Sequence, residues 1–67
     1  MKRESVEGRF YLEGFGGYIT FRKGKDGDTE YEFDDGRRGN LPTISRIKVK
    51  DAICKLLGRS VQPIFIP

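Results

Sequence analysis

Hydrophobic and polar positions alternate along the first half of this chain with a period of two. Val6, Gly8, Phe10 and Leu12 fall on one side, and Glu7, Arg9, Tyr11 and Glu13 on the other. That is the signature of a strand with one buried face. Three glycines in Gly14-Phe15-Gly16-Gly17 then call for a turn. A second strand, Tyr18 to Lys23, turns Ile19 and Phe21 inward. A third, Asp28 to Asp34, turns Tyr31 and Phe33 inward and Glu30, Glu32 and Asp34 outward. The loop between them has one self-consistent length. A two-residue turn on Asp26-Gly27 would set Phe21 against Glu32, mixing the two faces. A three-residue loop, Lys25-Asp26-Gly27, gives Gly27 the left-handed position and pairs Phe21 with Tyr31, Ile19 with Phe33 and Arg22 with Glu30.

After Asp35 the pattern changes. Gly36-Arg37-Arg38-Gly39-Asn40 reads as a flexible cationic loop, and Pro42 keeps Leu41 extended. Ile47 and Val49 alternate with Arg46, Lys48 and Lys50, which predicts a short strand or an extended entry to a helix. The helix itself is predicted over Val49 to Leu57. There Val49, Ala52, Ile53, Leu56 and Leu57 gather within an arc of about 140°. Gly58 is its stop, and Ile47 is assigned to the core with the helical apolar residues. The tail, Val61 to Pro67, is apolar and β-prone, and Pro63 restricts it to a sheet edge. The fold expected is small α+β: a three-stranded antiparallel meander, a C-terminal helix packed on it and a terminal edge strand. Closure into a small SH3-like or OB-like barrel is an option.

Length makes this one domain, residues 1–67, with residues 1–5 expected to be flexible. A core of this size leaves a thin stability margin. The lone Cys54 forbids an internal disulfide, and with no histidine in the chain a zinc site of His and Cys is excluded. No apolar run fits a signal peptide or a membrane span. A cytoplasmic protein with no cofactor, no metal and no enzymatic activity is the expectation, since no catalytic motif stands in the sequence.

Charge adds the one functional lead. Residues 1–36 carry six cations and nine acids, whereas residues 37–67 carry seven cations and the single acid Asp51. A basic half points to a polyanionic partner, DNA or RNA. The candidate contacts are Arg37 and Arg38 in the glycine-flanked loop, and Arg46, Lys48 and Lys50, which on a strand would share one face at about 6.6–6.8 Å spacing. The contrasting reading is a protein-binding inhibitor or regulator. It would act through the acidic hairpin (Glu30, Glu32, Asp34) or through the tail (Ile64, Phe65, Ile66), as a monomer or as a homodimer joined at the tail's edge. Asp26, Asp28 and Glu30 have a calcium-like spacing without the rest of a calcium loop. The strand acids are instead expected to partner Arg9 and Arg22.

Two resemblances bear on this. Gly14-Phe15-Gly16-Gly17-Tyr18-Ile19-Thr20-Phe21 resembles the GFGFI-type aromatic motif of cold-shock domains and RNA-recognition motifs, which stack bases on exposed rings. It covers eight residues and has one extra glycine, which shifts strand parity and turns the rings to the other face. The order of three strands followed by a helix, with basic ends, is similar to the arm-type DNA-binding domains of tyrosine-family integrases, and that similarity also implies contact with DNA. Phe15 is otherwise read as a cap on the core, and Cys54 as a partly buried thiol beside the apolar arc.

Overall fold

The computed structural model describes residues 6–67. It is a five-stranded, fully antiparallel open sheet with one helix on its inner face. The strands are β1 (Gly8–Glu13), β2 (Gly17–Lys23), β3 (Thr29–Phe33), β4 (Arg38–Leu41) and β5 (Gln62–Ile66), in the order β4-β3-β2-β1-β5. Helix α1 (Val49–Leu57) follows a single 3₁₀ turn at Arg46–Lys48. The first four strands form a continuous meander, and the chain crosses beneath the sheet in α1 to add β5 beside β1. With β4 and β5 at opposite edges, the sheet is open rather than a barrel.

The β2–β3 hairpin has the register that parity demanded: Ile19 faces Phe33, Phe21 faces Tyr31 and Arg22 faces Glu30. Gly24 donates its N–H to the Asp28 carbonyl at 2.8 Å, which leaves Lys25-Asp26-Gly27 as the loop, with Gly27 at φ 81°. The next connection repeats the device. Phe33 donates to the Arg37 carbonyl at 2.7 Å, enclosing Asp34-Asp35-Gly36, with Gly36 at φ 100°. Both loops end Asp-Gly because the third residue must adopt a left-handed backbone.

That second turn overturns the loop expected at Gly36–Asn40. Once the chain reverses at Gly36, Arg38 to Leu41 lie antiparallel to β3, with Arg38 across from Glu32 and Leu41 across from Thr29. They satisfy backbone groups that β3 would otherwise leave open. The meander is therefore four strands long.

The alternation at Arg46–Lys50 is likewise not a strand. Arg46–Lys48 make a 3₁₀ turn, with Lys48 N–H donated to the Ser45 carbonyl at 3.0 Å, and α1 continues from it. Ile47 consequently points to solvent at 87% exposure rather than joining the core. The period-two pattern misleads here because the entry to a helix can carry any residue that caps or frays it.

Val6, Leu12, Ile19, Phe21, Phe33, Val49, Ile53 and Val61 form the buried core. Val49 and Ile53 are the helix's contribution, while Leu56 and Leu57 pack at its margin. Phe15 sits on Phe33 with ring centroids 5.9 Å apart, so it caps the core as expected. Cys54 is half-buried, its thiol 3.7 Å from the Val61 carbonyl. The helix stops at Gly58, whose φ of 69° places it in the left-handed region, and the Cys54 carbonyl accepts N–H bonds from Gly58 and Arg59. Residues 1–5, expected to be flexible, lie outside the described residues.

Candidate nucleic-acid interface

The strand registers decide which cations can act together. The upper end of the sheet holds the β1–β2 turn, the Asp34-Asp35-Gly36 loop and the end of α1. There Arg59 donates to the Gly14 carbonyl at 2.7 Å. The lower end holds the start of β1, the end of β5 and the start of α1, where Val6, Glu7, Phe10, Arg46, Val49 and Phe65 line one small cleft. Arg37 lies at the upper end and Arg46, Lys48 and Lys50 at the lower end. The basic stretch contiguous in sequence is thus divided by the length of the sheet.

Arg37 is also committed locally. Its Nε and Nη2 reach Asp35 Oδ2 at 3.1 Å, and its guanidinium lies 5.1 Å from the Phe33 ring centroid and 5.8 Å from that of Phe15. The Arg37 backbone N–H donated to Asp35 is the main cause, and its side chain the second, that hold the Asp35 carboxyl below the usual aspartate range. Arg38 is exposed on the outer face of β4, across from Glu32 and on the opposite side of the sheet from α1.

Arg46, Lys48 and Lys50 are all exposed, and none makes an ion pair among the described residues. They ring the start of α1 rather than line one face, because a 3₁₀ turn followed by an α-turn rotates successive even positions round the axis. Arg46 leans towards the Phe65 ring at 6.0 Å. Lys48 is itself the N-cap residue and supplies no side-chain acceptor, so the 3₁₀ turn caps the helix with its backbone, the Lys48 N–H donated to Ser45 and the Val49 N–H to Arg46. This end of the helix dipole is positive, so each cation there is unfavourably placed by about 0.3–1 kcal/mol. Asp51 in the first turn is the one acid on the helix that offsets them.

The acids of the alternative site are largely answered from within. Arg22 bridges Glu30 at 3.9 Å and Glu32 at 3.3 Å, and Asp34 accepts the Tyr18 backbone N–H at 3.2 Å. Arg9 does not join them. Its guanidinium lies 4.3 Å over the Tyr18 ring, and Tyr18 meets Tyr11 across the strands at 5.3 Å. The sequence singles out Tyr11 and Tyr18 as rings beside the glycine turn, but sets Arg9 against the strand acids instead of over Tyr18. The signal that joins the three residues is the outward parity they share.

In the tail, Ile64 and Ile66 lie on the outer face beside Tyr11 and Arg9, at 44% and 36% exposure, while Phe65 stays 49% exposed on the inner side against Phe10. Alternation fixes where β5 sends its backbone groups. Tyr18 and Asp34 are hydrogen-bonded partners, so Phe10 and Ile19 are too. Tyr11 therefore bonds to Ile64, and Pro63, Phe65 and Pro67 are left in phase with the free edge. Prolines donate nothing, so this edge offers the Phe65 N–H alone. It is poorly suited to the sheet-to-sheet homodimer the tail suggested.

Among the described residues, no group of three or more His, Cys, Asp or Glu is placed to hold a metal ion, and no helix is long and apolar enough to cross a membrane. No family model matches the chain, and no curated protein or solved structure is significantly similar to it.

Proposed function

We propose that this protein is a small non-enzymatic module that binds the nucleic-acid backbone at the start of α1, through Arg46, Lys48 and Lys50. One observation carries the reading. Three exposed cations within five residues are set at the positive end of a helix, none of them in an ion pair among the described residues and with Asp51 the one acid of the first turn. Such an arrangement works against the fold, and phosphate would relieve it by meeting the cations. Local rules broken with little structural compensation are where function is to be sought.

The assignment narrows the interface suggested by charge counting. Arg37 has Asp35 and the Phe15–Phe33 rings for partners, so its part is structural. Arg38, on the other face, would be an outlying contact rather than part of the same grip. Phosphate contacts of this kind fix position without reading sequence, so preference for a particular sequence is not expected.

Binding to a fluorescein-labelled oligonucleotide, measured as anisotropy across a salt series, tests this. Each phosphate contact contributes about 0.7–0.9 to the slope of log affinity against log salt. A slope near zero, or one unchanged when Arg46, Lys48 and Lys50 become Gln, would remove the proposal. The protein-binding reading keeps one specific support, the solvent-facing row Ile64, Tyr11 and Ile66. It would operate through side chains on the outer face, since the β5 edge has a single donor.

A further inference from the structure

The two free edges of the sheet differ in what they offer. At β4, Phe33 and Arg37 are hydrogen-bonded partners, so Tyr31 with Gly39 and Thr29 with Leu41 are as well. The N–H and C=O of Arg38 and Asn40 therefore all point away from the sheet. Two complete donor–acceptor pairs, two residues apart, stand unused on an exposed strand. Beside them on the inner side lies a groove of about 350 Å³, lined in part by Leu41, Ile44, Ala52 and Leu56, with Asp51 and Lys55 as its charged members. A strand added to β4 would hang alternate side chains over this groove and set the others on the outer face next to Arg38.

We infer that β4 is a docking edge for an extended segment of a partner protein, with apolar side chains towards the groove and acidic side chains outward. The segment would run antiparallel, exchanging four backbone hydrogen bonds with Arg38 and Asn40. Charge selects it. Arg38 is exposed on the outer face and makes no ion pair among the described residues, while the groove itself carries one charge of each sign, Asp51 and Lys55. A second copy of this chain could match the backbone pattern, but it would bring a further Arg37 and Arg38 against the same edge. This inference does not rest on polyanion binding by Arg46, Lys48 and Lys50, although the groove borders them at Asp51 and Ala52 in the first turn of α1.

The test is an NMR titration of the full chain with an acetylated, amidated heptapeptide alternating Glu with Val and Leu. The Arg38 and Asn40 amides should shift, and their hydrogen exchange should slow by roughly tenfold or more at saturation. Arg38→Pro removes one outward donor at an edge position where proline is tolerated, and should abolish both effects at the remaining Asn40 amide. Arg38→Glu, which keeps the backbone intact, should weaken binding and covers the case in which the proline variant does not fold. A matching peptide with Lys in place of Glu should fail to bind.

Four results would overturn the inference. They are no shift at millimolar peptide, shifts confined to Arg46–Lys50, equal binding by Arg38→Pro or by the Lys peptide, and prior protection of Arg38 and Asn40 in a dimer of this chain. Shifts confined to Arg46–Lys50 would place the acidic peptide at the polyanion site instead, while the other three outcomes leave the polyanion reading untouched.

Discussion

The two ends of α1 carry cations for opposite reasons. At its C-terminal end Lys55 lies in the last turn, Gly58 closes the helix, and Arg59 reaches across to the Gly14 carbonyl. Positive charge there complements the dipole and ties the helix to the β1–β2 turn. At the N-terminal end Arg46, Lys48 and Lys50 gain no ion pair among the described residues and oppose the same dipole. Residue type is the same at both ends, but one set is accounted for by folding and the other is not. A count of basic residues cannot make that distinction. Geometry can.

Substitutions at the two ends should separate these roles, and the largest effect belongs to the start of the helix. Converting Arg46, Lys48 and Lys50 together to Gln should lower oligonucleotide affinity by more than about tenfold at low salt and reduce the salt slope by about 2–3, read by anisotropy. Gly58→Ala should cost about 1–2 kcal/mol in urea denaturation, because a side chain is strained in the left-handed conformation found there. Its affinity for oligonucleotide should be unchanged wherever the domain is folded. Arg59→Ala should cost about 1 kcal/mol, the worth of a hydrogen bond from a charged donor at an exposed site. Lys48→Gln and Lys50→Gln should each stabilise the domain by about 0.3–1 kcal/mol, the reverse of the usual sign for a substitution. Ile47→Ser should move stability by less than about 0.5 kcal/mol, because its side chain is almost fully exposed.

Much of this architecture could be read from the residues. The β2–β3 register followed from parity and one loop length, because a slip of a single residue would have exposed Ile19, Phe21 and Phe33 together. The limits of α1 followed from its apolar arc and from Gly58. Strand β4 was missed because Arg38-Gly39-Asn40-Leu41 has almost no apolar alternation, and its pairing comes from β3 and not from its own composition. Yet the Asp-Gly that ended the previous loop recurs at Asp35-Gly36, and it marked the second reversal just as clearly. The start of α1 was misread for the opposite reason. Arg46 to Lys50 alternate well, but a helix entry imposes no burial on Ile47.

The candidate site was legible as a list of cations and not as an arrangement. That Arg37 belongs with Asp35, Phe15 and Phe33 depends on a tight loop bringing them together. That Arg46 lies at the other end of the sheet depends on the whole strand order. Neither relation is local in sequence. The sheet edges show the same limit: Pro63 and Pro67 are visible at once, but that they share the outward phase of β5 emerges only from the register of β1 with its two neighbours.

The most direct test pairs two readouts on one variant, the protein with Arg46, Lys48 and Lys50 all changed to Gln. Urea denaturation and the salt dependence of oligonucleotide binding should move in opposite directions. The domain should become more stable by about 1–2 kcal/mol while the salt slope falls by about 2–3. A variant that loses stability, or one that keeps its full salt slope, would show that these cations serve the fold or nothing at all, and would contradict the assignment of this helix end to phosphate.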